Sequence, residues 1–278
     1  MSETLLLERP APADQAAAAQ RPPLLPPRPT RAEAPALSVR WARHQDEVRE
    51  AQRLRYQVFV EEMGARLNVP AGTPPGHDCD AFDPFCEHLL VHARVAGNTA
   101  PRLVGTYRVL MPAAAQRLGG YYSETEFDLH PLRRLRPYMA ELGRSCVDPS
   151  LRTGGVILLM WSALAEFMNA NGVAAMIGCA SVPMADGGHA AASLYRRLSQ
   201  QHLVPEGERV TPRLRLPIEA LRDDMDVEPP ALIKGYLKCG ARLLGAPAWD
   251  PDFNTADLPM LLRLADLPES YRRRFLGG

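Results

Sequence analysis

Hydrophobic and polar positions along the chain divide it into segments with strand-like and helical periods. Residues 37–42 alternate as a half-buried strand does, and residues 46–63 place apolar side chains about every 3.6 residues, which predicts an amphipathic helix. Strand-like runs at 87–95 and 102–111 are separated by a short segment that contains Gly and Pro. This spacing predicts a β-hairpin.

The same alternation of strands and helices continues through the second half of the chain. A strand is predicted at 138–147, a helix at 151–169, a buried strand at 174–181 and a helix at 188–200. The last third adds a strand, a helix and a strand, at 213–217, 230–244 and 258–265. This order predicts a sheet with helices packed against it, and the last strand is expected to complete the sheet.

Three segments show no period. Residues 1–36 are rich in Pro and Ala with almost no aromatic side chains, so we predict a disordered tail that precedes one domain over 37–278. Residues 64–85 form a long loop rich in Pro, Gly and Asp, of a length that is usually functional or disordered. Residues 121–132 are predicted to be irregular.

Composition narrows the class of protein. The chain has 32 basic and 32 acidic residues with 46% hydrophobic residues, which indicates a globular protein and not a nucleic-acid binder. Its five cysteines form no C-x-x-C pair and no secretory signal is evident, so we expect a reduced, cytoplasmic protein. The longest apolar stretch, 156–165, is too short to cross a bilayer, so any membrane contact would be peripheral.

The segment 141–147, with the sequence ELGRSCV, carries the most chemistry. Alternate residues of a strand share a face, so Glu141 and Arg144 are predicted to point to opposite faces. A charged side chain on an interior strand is costly without a partner, and a carboxylate at such a place is a candidate for proton transfer. The alternative is a structural Glu–Arg ion-pair network.

Three short motifs suggest a family. Arg-x-x-x-Phe at 55–59, Asp-x-x-Asp at 80–83 and Glu-x-x-Arg at 141–144 resemble, in order and spacing, the acyl-homoserine-lactone synthases and their relatives in the GNAT acyltransferase superfamily. Within that group the sequence is most similar to the bacterial ornithine Nα-acyltransferases of ornithine-lipid synthesis, over residues 37–275. The resemblance implies an α/β (α+β) GNAT fold, with a central, mixed, mostly antiparallel sheet flanked by helices.

The resemblance also implies roles for individual residues. Glu141 and Arg144 match active-site positions, and Glu141 is the expected base for an incoming amine. The expected substrate-binding residues are Arg55, Asp80, Asp83 and Arg108. In this reading an Arg pairs with the carboxylate of ornithine, and Asp80 or Asp83 pairs with its side-chain ammonium. In the alternative reading these charges pair only with each other.

The start of the helix after this strand is the expected place for the acyl donor. Arg152, Gly154 and Gly155 occupy the positions where GNAT enzymes hold the phosphates of coenzyme A. Ile157 stands where a small residue is usual, which favours the phosphopantetheine of acyl carrier protein and no tightly bound cofactor. The alternative is a Gly-rich helix start without a ligand.

Basic clusters are the candidate surfaces for partners. An acidic carrier protein is expected to meet 133–136 (RRLR) or Arg196 and Arg197. The run 271–276 (YRRRFL) is the candidate for a peripheral contact with anionic lipid of the inner membrane, and the alternative for all these arginines is simple solvation. The spacing of His and Cys at 77–88 matches no common zinc motif, so no metal site is predicted.

Two other functions compete with ornithine acylation. An acyl-homoserine-lactone synthase would share the charged motifs, but those enzymes usually carry a Trp shortly after the position of Phe59, and none lies between Phe59 and Asp80. A non-catalytic module that binds lipid or carrier protein is the third hypothesis. Acyl chain length and oligomeric state are not encoded in any motif of the sequence.

Overall fold

Alternating apolar side chains build one central sheet. The computed structural model describes residues 35–94, 100–152 and 154–276, so the predicted tail lies almost entirely outside the described residues. In chain order the strands are β1 (Ala36–Trp41), β2 (Glu87–Arg94), β3 (Arg102–Leu110), β4 (Phe127–Asp128), β5 (Met139–Val147), β6 (Ala175–Pro183), β7 (Thr211–Pro212), β8 (Arg242–Leu243), β9 (Ala248–Asp250) and β10 (Thr255–Arg263). The central sheet has the order β1-β2-β3-β5-β6-β10-β8, with β9 beside β10.

The pairing of the strands confirms a mixed, mostly antiparallel sheet. β5 and β6 run parallel, and the other neighbours in the central sheet are antiparallel. The parallel pairing joins Met139–Glu141 to Ala175–Ile177. Beyond these residues β5 and β6 separate, and the sheet opens between them.

Helices cover both faces of the sheet. They are α1 (Gln45–Tyr56), α2 (Pro112–Leu118), α3 (Gly154–Ala170), α4 (His189–His202), α5 (Ala231–Lys238) and α6 (Glu269–Leu276). Ala51 and Leu54 of α1 pack with Leu90 and Cys146 on one face. α3 packs its buried residues against Leu89, Val91 and Val109 on the other face. Among the described residues, no helix combines the length and apolar character needed to cross a membrane.

Most predicted elements are confirmed, and the exceptions have local causes. The helix predicted over 46–63 is α1 followed by a π-helical turn, Gln57–Glu62. α2 was not predicted; it begins at Pro112 and ends at Gly119, whose φ of 91° lets the chain leave the helix. The strand predicted at 213–217 is wrong, because only Arg215 forms an isolated bridge there. The helix predicted over 230–244 ends at Lys238, and the chain then forms β8.

Candidate active site

A bulge in β5 changes the direction of Arg144. The register with β3 passes from Arg108 opposite Gly143 to Thr106 opposite Cys146, so Arg144 and Ser145 together face one residue of β3. Arg144 has a φ of 47°, in the left-handed region. The prediction that Glu141 and Arg144 point to opposite faces is therefore wrong. Both reach the same residue, Tyr122: its backbone N–H donates to Glu141 at 2.7 Å and its ring lies 4.9 Å from the guanidinium of Arg144.

Glu141 is buried and accepts three hydrogen bonds. Its residue is 5% exposed, and its oxygens accept from the backbone N–H of Tyr122 and of Ser123, each at 2.7 Å, and from the Ser123 hydroxyl at 2.5 Å. Burial raises the pKa of Glu141, and the hydrogen bonds from Ser123 and Tyr122 oppose that rise. The carboxylate thus fixes the turn that begins at Tyr122. Of its three hydrogen-bond donors, two are backbone N–H groups and one is a side chain, the Ser123 hydroxyl.

The charged residues of the long loop form a buried ion-pair cluster with the sheet and with α1. Arg55, 0% exposed, donates to both oxygens of Asp83 at 3.0 and 2.6 Å. Arg108 donates to Asp80 at 2.7 Å and to Asp83 at 2.9 Å. Burial alone would raise the pKa of Asp83, but Arg55 and Arg108 hold it well below its usual range. These contacts fix the loop against the sheet.

Asp78 belongs to the same cluster and was missed in the sequence. It is 1% exposed, and its Oδ2 lies 2.9 Å from Arg55 Nε and 3.3 Å from Arg144 Nε. The spacing of Asp78, Asp80 and Asp83 is the signal that could have found it. The structure thus gathers six of the nine predicted site residues on one face, around this loop: Arg55, Asp80, Asp83, Arg108, Glu141 and Arg144.

The three predicted phosphate-binding residues lie apart from this cluster, at the start of α3. Arg152 pairs with Glu62 through two contacts of 2.6 Å, so its guanidinium is bound to the end of the π-helical turn. Gly154 and Gly155 are exposed, and a Cβ at Gly154 would meet no heavy atom within 4 Å. The N-terminus of α3 is therefore open, while the Arg beside it already has a carboxylate.

A second acidic group, also missed in the sequence, lies near Glu141. Ligand-type atoms of Glu126, Cys179 and Asp257 all fall within 4.8 Å of one another. Cys179 Sγ donates to Glu126 at 3.4 Å and lies 4.0 Å from the hydroxyl of Ser123. Burial, together with the neighbouring acids, raises the pKa of Glu126 and of Asp257. These residues are far apart in the sequence and belong to no motif, so only the fold brings them together.

The opposite face of the sheet holds an apolar cavity. Its volume is about 40 Å³. Tyr107 and Leu142 of the sheet, Trp161 of α3 and Tyr236 of α5 are among its lining residues. The two tyrosine hydroxyls are hydrogen-bonded at 2.5 Å, and Trp161 stacks on Tyr236 with a centroid distance of 5.4 Å. The lining has the apolar character that suits a hydrocarbon chain, but the volume is too small for a long chain unless the lining side chains move apart.

Similarity to known proteins decides the family. Residues 54–162 match the family model described as Acetyltransferase (GNAT) domain. The chain is 37% identical over 251 residues to the L-ornithine N(alpha)-acyltransferase of Rhodobacter capsulatus, covering 84% of this chain and 92% of that protein. It is also 37% identical over 253 residues to the protein of the same name from Agrobacterium fabrum, covering 84% and 83%. The chain belongs to the L-ornithine N(alpha)-acyltransferase family.

A solved structure supports the fold. The crystal structure of the AHL synthase LasI matches with a TM-score of 0.51 and 14% identity, covering 88% of this chain and 97% of that chain. At this identity the likeness shows the GNAT fold alone. Together with the family, it makes the chain an acyltransferase enzyme.

The geometry of this acyltransferase places a carboxylate and a hydrophobic cavity on either side of the opening between β5 and β6. At Gly178 the two strands are in close contact, since a Cβ there would lie 2.4 Å from the carbonyl oxygen of Leu142. Cys179, the next residue of β6, lies beside Ser123 on the Glu141 side. Leu142, the next residue of β5, lines the apolar cavity on the α3 side. The opening between β5 and β6 is thus bordered on one side by the residues around Glu141 and on the other side by the apolar cavity.

The predicted basic surfaces differ in how their charges are used. Arg133 and Arg134 are exposed, and neither forms an ion pair with any described residue, whereas Arg136 pairs with Glu124 at 2.7 Å. Arg196 and Arg197 pair with Asp223 and Asp226, at 2.7 and 3.3 Å. The cavity that opens beside Pro112 is lined by Arg133, Arg136 and Tyr121, the residue before the turn held by Glu141.

The two aromatic side chains of the C-terminal helix pack inward. Phe275 is 6% exposed and packs with Ala165, Cys239 and Leu267, and Tyr271 packs against the same cluster. These two aromatic side chains, which the sequence suggested for lipid contact, therefore pack against the protein. The arginines of α6 are exposed to solvent, and Arg273 lies 3.9 Å from Glu269.

Proposed function

We propose that this acyltransferase moves a 3-hydroxylated fatty acyl chain from acyl carrier protein to the α-amine of ornithine, giving lyso-ornithine lipid. Ornithine as the acceptor is supported by the identity of 37% over 84% of the chain to proteins named L-ornithine N(alpha)-acyltransferase. The carrier-protein donor is supported by the residues at the start of α3 and by the resemblance of the motifs. No tightly bound cofactor takes part in this reaction.

Carrier protein suits the donor side of the site better than coenzyme A. Ile157 stands where a small residue would let a diphosphate approach, and Arg152 is already bound to Glu62. The unpaired charges of Arg133 and Arg134 offer a docking surface for an acidic carrier. The phosphopantetheine would enter the opening between β5 and β6 near Gly154 and Gly155. The acyl chain would run toward the apolar cavity, whose lining side chains would have to move apart to admit it.

The chemistry needs a proton acceptor for the ammonium of the acceptor. The amine nitrogen attacks the thioester carbonyl, a C–N bond forms, and the C–S bond breaks to leave a thiol. Glu141 takes the proton of the ammonium through the Ser123 hydroxyl, because that hydroxyl is its hydrogen-bond partner on the side of Cys179. Arg144 binds the carboxylate of ornithine, and the cluster of Arg55, Asp80, Asp83 and Arg108 shapes the pocket from behind.

A direct assay tests the proposed function. Purified protein is mixed with labelled ornithine and either 3-hydroxyacyl carrier protein or 3-hydroxyacyl-coenzyme A, and the products are identified by mass spectrometry. We expect Nα-acylornithine with the carrier-protein donor. An absence of product with both donors would discard the proposal. In a parallel reaction with S-adenosylmethionine in place of ornithine, formation of an acyl-homoserine lactone would point to a homoserine-lactone synthase.

The docking surface has its own test. The double variant Arg133→Glu, Arg134→Glu should raise KM for the carrier-protein donor by about tenfold, because it replaces attraction to an acidic partner by repulsion. Arg196→Glu, Arg197→Glu is the matched control on a surface whose arginines already have partners. Equal KM values for both variants would show that the carrier docks elsewhere.

A further inference from the structure

Glu126 and Asp257 differ from the other buried acids of the site. Asp78, Asp80 and Asp83 each lie within ion-pair distance of an arginine. Asp257 is 4% exposed, and the groups that act on it are the hydroxyls of Thr255 and Ser181 and the neighbouring acids Glu126 and Asp250. In the part of the chain that the structure describes, no basic side chain pairs with it or with Glu126. A buried carboxylate without a cation is costly, so a site of this kind is made for a positive ligand.

Arg144 supplies a second, independent sign of a missing ligand. Its Nε is buried and has no hydrogen-bond partner among the described residues, and its contacts to Asp78 and Asp80 are long, at 3.3 and 3.4 Å. Its guanidinium carbon lies 4.9 Å from the ring centre of Tyr122 and 4.8 Å from that of Phe253. Contacts with two rings restrain the guanidinium, and its planar fork of donors matches a carboxylate.

Tyr122 interacts with the cation Arg144 and with the acid Glu126. Burial raises the pKa of Tyr122, and the charges of Arg144 and of Glu126 both act on its hydroxyl. The backbone N–H of the same residue donates to Glu141 at 2.7 Å. One cation and one pair of acids therefore lie around a single tyrosine, next to the proton acceptor. These charges are complementary to those of an amino acid that carries a second amine on its side chain.

We propose that Glu126 and Asp257 bind the side-chain ammonium of the acceptor amino acid while Arg144 binds its carboxylate. The inference rests on the proposed function, since it names the residues that choose the acceptor. Two touching carboxylates share one proton, so the pair carries about one negative charge near neutral pH and complements one ammonium. Asp80 and Asp83, the acids expected from the sequence, already have Arg108 and Arg55 and are left to hold the loop.

The test compares ornithine with norvaline, which has the same carbon chain and no side-chain amine. A site built to bind a charged amine rejects an analogue that lacks it, so the wild type should prefer ornithine in kcat/KM by about 100-fold. Asp257→Asn and Glu126→Gln should each reduce this preference by about tenfold or more. Asp252→Asn, an exposed aspartate in the turn before β10, is the matched control and should keep the wild-type preference.

Each outcome decides the inference. Equal use of ornithine and norvaline by the wild type would overturn it. An unchanged preference in either site variant that folds would also overturn it, so the test stands if the other variant fails to fold. Stoichiometric zinc in the purified protein that is lost in Asp257→Asn would also overturn it, because the same three side chains would then hold a metal. A wild type that acylates neither amino acid would instead refute the proposed function itself.

Discussion

Asp83 is the residue on which the buried ion-pair cluster depends. It binds Arg55 through both oxygens and Arg108 through one, and it also accepts from Gln52 at 3.0 Å. Removing its charge would leave two buried guanidinium groups with one anion fewer. The loop that carries Asp78 and Asp80 would then lose its strongest attachment to α1 and the sheet.

The first prediction concerns the stability that Asp83 supplies. Asp83→Asn should lower the free energy of unfolding at pH 7 by about 3 to 5 kcal/mol, because it breaks a buried pair on one side. Urea unfolding followed by circular dichroism measures this. The control is Glu219→Gln, which removes an exposed partner of Arg215 and should change the free energy by less than about 0.5 kcal/mol. A similar small change for both variants would contradict the cluster's role.

The same carboxylate gives a dependence on pH. Arg55 and Arg108 hold the pKa of Asp83 well below its usual 3.8, although burial opposes this, so its contribution is present above pH 3.8 and is lost as the pH falls below that value. The wild type should therefore lose stability faster than Asp83→Asn when the pH is lowered from 4 towards 2. Parallel curves of unfolding free energy against pH for the two proteins would refute this.

Glu126 should behave in the opposite way. Burial and the charge of Asp257 raise its pKa above 4.5, so its favourable contribution is present below pH 4.5 and is lost as the pH rises. Glu126→Gln should then be more stable than the wild type at pH 8, by about 1 kcal/mol, although it weakens acceptor selection. Thermal unfolding of both proteins at pH 5 and pH 8 measures the difference in stability. If the stability of Glu126→Gln relative to the wild type falls between pH 5 and pH 8, a strained acid pair is contradicted.

Among the individual residues, the charged motifs were predictable and their directions were not. The Glu-x-x-Arg spacing selects Glu141 and Arg144, and in the structure both contact Tyr122. Strand alternation gives the wrong face for Arg144, because one residue in the left-handed region resets the alternation and no local sequence signal marks a bulge at a non-Gly position. Glu126 and Asp257 have no signal at all, since their meeting depends on long-range pairing.

At the scale of elements, the separation of β5 and β6 is the feature that creates the site. Parallel pairing ends at Glu141 and Ile177, and Gly178 allows a close approach of the two backbones at the next residue. Glycine is required there, because a side chain would meet the carbonyl oxygen of Leu142. The position of the opening is thus fixed by one residue without a Cβ.

Gly178→Ala should disturb this junction. A Cβ would lie 2.4 Å from a backbone oxygen, which cannot move as the end of a side chain can, so we expect a loss of about 2 to 3 kcal/mol and lower acyltransferase activity. Gly143→Ala, in the neighbouring strand, is the matched control because its Cβ would meet no atom within 4 Å. Urea midpoints of the two variants decide the matter; equal midpoints would mean that the strands are not in tight contact at Gly178.

Elements with a clear period were predicted well, and short ones were not. The hairpin of β2 and β3, β5, α3, β6 and α4 follow apolar patterns long enough to be read from the sequence. β7 and β8, of two residues each, have no period to detect, and their strand conformation comes from pairing with β4 and β10. α2 was missed because its sequence after Pro112 is rich in Ala, which favours a helix without forming an apolar stripe.

At the scale of the whole molecule, the two faces of the sheet differ in character. One face holds the charged residues around Tyr122 and Glu141, which we propose bind and deprotonate the amino acid. The other face holds the apolar cavity between α3 and α5. Acyl transfer joins a polar acceptor to an apolar chain. The two substrates must therefore meet at the opening in the sheet that connects the two environments. The family resemblance predicted this fold from the sequence; the division between faces became visible only in the structure.

The central claim is that Glu141 accepts the proton through Ser123, and Ser123→Ala tests it most directly. The variant keeps both backbone N–H donors to Glu141 and removes only the hydroxyl, so the turn should remain folded. Ser150→Ala is the matched control, because the Ser150 hydroxyl donates to Asp148 at 2.5 Å in a similar turn. We predict that kcat with ornithine falls by about 100-fold in Ser123→Ala and is unchanged in Ser150→Ala. A wild-type kcat in Ser123→Ala would contradict the account.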